Sequence, residues 1–354
     1  MDVRANQRLC YQQAMLPFAC MVAVSPHVIS AVRQILVVLW QFANLISFTN
    51  YNLSLEVKKM RKYLVFGILF FALCGIAVSA TQAQQRAIIA GWNILGVDPI
   101  PDDRIGRIAG VIRTINPDLI VLTEVNDNEV PRKIVEALGS NYQPPVILRQ
   151  NAEVVQNIAF VFKTGVSVTD AQLIEGTDLA EESRSRKALT AKVRIGQFDF
   201  VLIGVHLKSS RDNTSRRQRS RQATAIANFI SQATAGNEKD VLVIGDYNMI
   251  PRSGNMANDE VNFFAMSSNN FLRFVSSDSL LGQTSHIQRC SPSLRGNLLD
   301  GYAISRQHTR REYVAGSTRL IPFAELQTNC AAFLRDVSDH FPVVSQFRVN
   351  RDDD

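Results

Sequence analysis

The chain has 354 residues, with 38 Lys+Arg against 32 Asp+Glu, 46% hydrophobic and 20% charged. That length and apolar content can build a large core. No low-complexity tract and no repeat at about 20–50 residues is present, which excludes disordered, collagen-like and solenoid chains. The net charge of +6 belongs to one end: residues 1–83 hold seven basic and two acidic side chains, so the remainder carries only +1. Overall charge therefore says little about a polyanionic partner.

Met60-Arg61-Lys62 precedes an apolar run at 63–78 and then Ser79-Ala80-Thr81-Gln82-Ala83. A basic start, a short apolar stretch and a small-residue end predict a secretory signal peptide over 60–83, cleaved after Ala83 or Ala80. The run is shorter than the ~20 residues of a membrane span. Export to periplasm or medium is expected, with membrane contact only through the leader. Cys74 follows Leu73 rather than a small residue, which speaks against lipidation. Residues 1–59 read as an N-terminal extension from a mis-assigned start; an apolar hairpin around 35–48 is the alternative. Beyond the leader only Cys290 and Cys330 remain, and an oxidising compartment favours a disulfide over two buried thiols. No Cys/His spacing fits zinc.

In chain order, residues 86–92 (RAIIAGW) read as a buried strand delivering Asn93. Ile105, Ile108, Ala109 and Ile112 give 102–115 helical spacing with Asp102 and Asp103 in the first turn, and Asn116-Pro117 ends it. A buried strand at 119–123 (LIVLT) ends at Glu124, and a helix at 130–138 stops at Gly139. Strands follow at 158–163, 166–174, 188–195 and 198–206, with a hairpin at Gly196-Gln197. A helix at 216–231 leads to a strand at 241–245 (VLVIG) and Asp246. The stretch 251–296 is Ser/Asn/Gly-rich and predicts long loops around short elements. The last strands are 298–304 and 341–349. Many strands with few interleaved helices predict a layered α+β domain over 84–354 rather than a doubly wound parallel sheet.

Polar residues recur at the ends of these apolar runs: Asn93, Glu124, His206, Asp246, Asn248 and Asp300, with Asp339-His340 before the last strand. Strand ends meet at a sheet rim, where a site can be assembled from distant segments. Carboxylates and amide oxygens suit magnesium or calcium, and two histidines offer acid–base chemistry near neutral pH. Singly, each has a structural reading: a turn at Asp246-Tyr247-Asn248, a helix cap at Asp339, a core histidine at His206. The ordered series argues for a site.

That series (WN-I, DLIVLTEV, VHLKS, VIGDYN, LLD, SDHFPV) resembles the endonuclease/exonuclease/phosphatase superfamily, to which deoxyribonuclease I belongs, and spans 87–349. The resemblance implies a four-layer αββα sandwich, two packed β-sheets with outer helices, and phosphoester hydrolysis with Mg2+, Ca2+ or Mn2+. Carried over by position, Glu124, Asn93 and Asp339 would hold the metal. Asp246 would orient or deprotonate the attacking water, Asn248 would hold the phosphate, and Asp300 would orient His340 on the scissile phosphate. His206 would donate to a phosphoryl oxygen. Where nuclease relatives carry an acidic residue supporting the first histidine, Lys187 stands here, so the partner of His206 is open.

Arg186 and Arg217, with Asn93 and Asn248, are the candidate substrate contacts. Arg217 belongs to a basic cluster from Arg211 to Arg221 that fits either a polyanion grip or a solvated helix face. The resulting expectation is an exported, monomeric, metal-dependent phosphodiesterase acting on DNA or RNA, with no stable protein partner. A sphingomyelinase- or inositol-phosphatase-like enzyme is the alternative, its one membrane-docking candidate being the apolar run at 262–266. A non-catalytic secreted binding protein is the third reading.

Overall fold

A computed structural model describes residues 86–96, 101–149, 156–178, 186–248 and 271–352. The extension 1–59, the leader at 60–83, Cys74 and the run 262–266 lie outside the described residues. Among those described, no helix is long and apolar enough to cross a membrane.

Strands β1 (Arg86–Asn93), β2 (Leu119–Val125), β3 (Val146–Ile147) and β4 (Asn157–Phe162) join β13 (Arg319–Leu320) and β14 (Val343–Arg348) in a six-stranded sheet, order β13-β14-β1-β2-β4-β3. The second sheet runs β5 (Val166–Leu173), β6 (Leu189–Ile195), β7 (Phe198–His206), β8 (Val241–Asp246), β12 (Asp300–Ser305) and β9 (Leu272–Phe274). Each sheet has one parallel pair at its centre, β1/β2 and β7/β8. The two pairs end in Asn93, Glu124-Val125, His206 and Asp246, so the residues that close the apolar runs share a rim. A two-stranded ribbon, β10 (His286–Arg289) with β11 (Arg295–Asn297), stands beside it.

Period-two alternation sorts the side chains into layers. Ile89, Val121 and Phe160 of the first sheet pack with Phe200, Leu202, Ile244 and Tyr302 of the second. Burying one such aromatic or aliphatic side chain contributes about 1.5–3 kcal/mol. The opposite face of the first sheet (Trp92, Ile120, Leu122) is covered by helices α1 (Asp102–Ile115), α2 (Glu129–Leu138) and α5 (Cys330–Asp336). Val201, Ile203, Val205 and Val243 of the second sheet meet Ala223, Ile226 and Ile230 of α3 (Asn213–Ala233). The architecture is thus the four-layer αββα sandwich.

Local chemistry explains where the elements stop. Asn116 closes α1 in the left-handed region, φ 52°, just before Pro117. The hairpin expected at Gly196-Gln197 joins β6 to β7, with Ile195 opposite Phe198. Helix α3 begins three residues earlier than the apolar periodicity indicated, because the Asp212 carboxylate accepts from Ser215 N at 2.9 Å and caps it. The expected strand at 298–304 begins only at Asp300, and that at 341–349 only at Val343. Helix α4 (Val275–Leu280) and the ribbon are the short elements that 251–296 predicts, without their positions, whereas helix α5 carries too few residues for a periodic signal.

Cys290 and Cys330 are disulfide-bonded. The bridge joins the end of β10 to the start of α5, 40 residues apart in sequence. On the loop-closure relation, a tether of that length is worth about 4 kcal/mol.

Candidate active site

The first sheet presents Asn93 and Glu124. A register shift between Leu122 and Val125 bulges β2 and leaves Glu124 at φ 58°, turned from the regular pleat toward the rim. Asn93 is buried, and its Nδ2 donates to Glu124 Oε1 at 2.9 Å and to Asp246 Oδ2 at 3.1 Å. Its oxygen is taken by Leu95 N at 2.9 Å. Asn93, expected as a metal ligand, is therefore oriented as a donor that joins two carboxylates. Gly96 N donates to Glu124 Oε2 at 3.2 Å, and a Cβ there would lie 2.4 Å from Glu124 O.

The second sheet presents His206, Asp246 and Asp300. Gly245, at φ 143°, lets β8 run against Val205; a Cβ would lie 2.0 Å from Val205 O. The β8/β12 register sets Asp300 directly opposite Asp246. Asn248, at φ 52°, donates its backbone N–H to Asp246 Oδ1 at 2.8 Å and its Nδ2 to Leu207 O at 3.0 Å.

The segment before β14 closes the rim. Ser338 Oγ donates to Asn93 O at 2.7 Å, His340 N donates to Ser338 Oγ at 3.0 Å, and Trp92 Nε1 donates to His340 O at 2.8 Å. His340 Nδ1 lies 2.7 Å from Asp300 Oδ2, which also accepts from Ser285 Oγ at 2.7 Å. That leaves His340 Nε2 toward Asp246, 4.0 Å from its Oδ2. His206 Nε2 approaches the same Oδ2 at 3.6 Å and Glu124 Oε1 at 3.7 Å. Asp246 is the hub of the group.

Burial and these charges split the titrations. Burial and the Asp300 carboxylate push Asp246 up to about 7, against the pull of His340 and the Asn248 and Asn93 donors. For His340, burial alone would lower the pKa, but Asp300, Asp246 and Asp339 outweigh it and push it up to about 10. Burial holds His206 well below its ordinary value, with Arg186 and His340 adding to the effect. A carboxylate near neutrality between a cationic and a neutral imidazole is a poised base beside a proton donor.

A cavity of about 330 Å³ opens on this group, lined by Glu124, His206, Asp246, Asn248, Asp339 and His340. Among the described residues, three sets of ligand atoms lie within 4.8 Å of one another: Glu124, His206 and Asp246; His286, Asp339 and His340; and Asp246, Asp300 and His340. The expected metal residues Glu124 and Asp339 fall in different sets. Asp339 Oδ1 is buried without a hydrogen-bond partner, an acceptor that a cation satisfies. The carboxylates Glu124, Asp246 and Asp339 are hard anionic donors of the kind that fit a divalent ion such as magnesium.

The remaining expectations divide. Arg186 lines the cavity, but its guanidinium donates to His206 O at 3.0 Å, Leu207 O at 3.1 Å and Gln156 Oε1 at 2.9 Å, bracing the end of β7. Arg217 is exposed on α3 and is not among the residues lining the cavity. Lys187 pairs with Glu175 at 2.6 Å, and His206 Nδ1 is buried without a partner among the described residues, none of which supplies the missing acidic support.

Sequence reasoning missed His286, whose ring centroid lies 4.8 Å from that of His340 and whose Nε2 is 3.6 Å from Asp339 Oδ2. It sits in an aperiodic stretch, and its only signal was being one of five histidines. Arg104 was missed as well. On α1, it donates to Ile94 O, Leu95 O and Val337 O at 2.8–3.0 Å, binding the loop after Asn93 to the segment before Asp339.

Residues 90–311 match the model of the endonuclease/exonuclease/phosphatase family. No curated protein matches the chain by sequence. Among solved structures, Danio rerio TDP2 complexed with a single-strand DNA product is similar at 16% identity and TM-score 0.56, over 74% of this chain and 99% of that one. The human Nocturnin catalytic domain with bound sulfate is similar at 21% identity and TM-score 0.53, over 75% and 94%. A mannosyl-6-phosphatase of Bacteroides thetaiotaomicron is similar at 14% identity and TM-score 0.52, over 74% and 99%. At these identities the likeness is one of fold.

Proposed function

The chain belongs to the endonuclease/exonuclease/phosphatase family and is a hydrolase of phosphoester bonds, and from that premise we propose that it is an exported, magnesium-dependent phosphodiesterase that cleaves nucleic acid. The observation that carries the reading is Asp246, a buried carboxylate with a pKa pushed up to about 7 and imidazole nitrogens at 3.6 and 4.0 Å. A group titrating there is suited to take a proton from water at neutral pH. Asn93 Nδ2 and Asn248 N hold its two oxygens, which fixes the direction from which it meets the water.

Glu124 would hold a divalent ion, which supplies positive charge opposite the phosphoryl oxygens. His340, kept charged by Asp300, donates from Nε2 to a phosphoryl oxygen as negative charge grows there. His206 stays neutral and offers a second donor without adding a cation. Asn248 has one amide hydrogen committed to Leu207 O and one left for substrate.

The purified chain, incubated with plasmid DNA or RNA and Mg2+, is expected to cut it, and Asp246→Asn to lose at least about 100-fold in rate. Absence of Mg2+-dependent cleavage of either polymer sinks the nuclease reading. One observation favours a lipid phosphoester instead: an apolar groove of about 490 Å³ lined by Leu294, Leu320, Pro322, Phe323 and Phe341, with Leu294 exposed. Sphingomyelin hydrolysis in the same assay decides between them. Export is checked by N-terminal sequencing of the natural protein, which should begin near residue 84.

A further inference from the structure

The cavity walls are rich in carboxylates, and a polyanionic substrate needs cations to offset them. Arg211 lines the cavity together with Ser209 and Ser210. Among the described residues, its guanidinium has one hydrogen bond, Nη2 to the neutral Asn297 Oδ1 at 2.6 Å, and no carboxylate partner. No ion pair with a described residue commits its charge, and its remaining N–H donors are unengaged by those residues. Asn297 stands across the cavity on β11, opposite His286 of β10, and His286 is 4.8 Å from the His340 ring. Arg211 and His340 thus line the same cavity.

The segment carrying Arg211 is built from beneath. Arg219 is 3% exposed, and its Nη1 donates to Lys208 O at 2.6 Å and Ser210 O at 2.7 Å. Gln222 Oε1 accepts from Lys208 N at 2.9 Å, and Asp212, the cap of α3, accepts from Ser210 Oγ at 2.9 Å. Two basic residues of one cluster therefore do opposite things. Arg219 is sunk into the fold as a clamp, and the clamp holds Arg211 out over the cavity, so little conformational freedom remains to be lost on binding.

We infer that Arg211, with Ser209 and Asn297, forms a second phosphate subsite that takes the phosphodiester next to the scissile one in a nucleic acid strand. This rests on the phosphodiesterase reading above and refines its substrate. The planar guanidinium suits two phosphate oxygens at once. A substrate with a single phosphate has nothing to place there.

The test compares the full chain with Arg211→Ala and Arg211→Lys on an oligonucleotide and on bis(4-nitrophenyl) phosphate, a diester with one phosphate. The expected result for Arg211→Ala is a fall of about tenfold in the ratio of kcat/KM between oligonucleotide and small diester. With EDTA present, anisotropy of a labelled oligonucleotide should show a salt slope shallower by about 0.7–0.9 than that of the wild type. Arg211→Lys should recover the slope and only part of the ratio. An unchanged ratio and slope in Arg211→Ala overturns the subsite, as does a wild type that cleaves the small diester but no oligonucleotide. If neither substrate is cleaved by the wild type with Mg2+, the phosphodiesterase reading itself falls.

Discussion

Arg104 offers a measurement that does not depend on the substrate. It is 7% exposed and gives three of its hydrogen bonds from Nη2 and one from Nε, all to backbone carbonyls of Ile94, Leu95 and Val337. Arg104→Met keeps most of the aliphatic stem and removes the guanidinium. Replacing a buried charge by an apolar group is often close to neutral when its partners leave with it. Here the partners are main-chain carbonyls and stay behind. Each orphaned carbonyl costs about 1–3 kcal/mol, and carbonyls sit at the low end of that range because they tolerate under-satisfaction better than N–H groups. Three of them give about 3 kcal/mol, or a drop of roughly 6–12 °C in Tm. Guanidinium chloride unfolding of wild type and variant, with m unchanged, reads the difference. A loss below about 1 kcal/mol refutes the claim that this side chain binds the two rim segments together.

Two further outcomes are expected. Hydrogen bonds from Ser215 and Ser210 hold the Asp212 carboxyl well below its ordinary range. A depressed folded value means the stabilisation is whole above about pH 4, the unfolded value, and is lost as pH falls toward the folded one. The Tm gap between wild type and Asp212→Ala should accordingly be constant from pH 7 to 5 and shrink between pH 4 and 3; a gap that widens on acidification contradicts the assignment of this cap. Mg2+ at 100 times its Kd should stabilise the wild type by about 2.7 kcal/mol, and Glu124→Ala should remove most of that shift; an equal shift in both proteins would place the ion elsewhere.

Much of the layer structure was legible along the chain because burial periodicity is a local property. The apolar runs 200–205 and 119–123 mark strands whichever partners they find, and Asn116-Pro117 ends a helix by its own stereochemistry. The same locality puts Asn93, Glu124, His206 and Asp246 at the ends of strands, and hence on one rim once the strands pair. What each does at that rim was a tertiary decision. Asn93 and Asp246 are 153 positions apart, and only their approach turns the amide of Asn93 into a donor between two carboxylates. Asp300 faces Asp246 through a register that no single strand encodes, and the pressure between those two carboxylates is part of what raises Asp246. His286 and Arg104 carried no sequence signal because their partners, Asp339 and the carbonyls of Ile94, Leu95 and Val337, come from segments distant in the chain or belong to the backbone. The basic cluster shows the division most plainly: its charges are written in the sequence, but which arginine is buried and which faces the cavity depends on how α3 packs against β7 and β8.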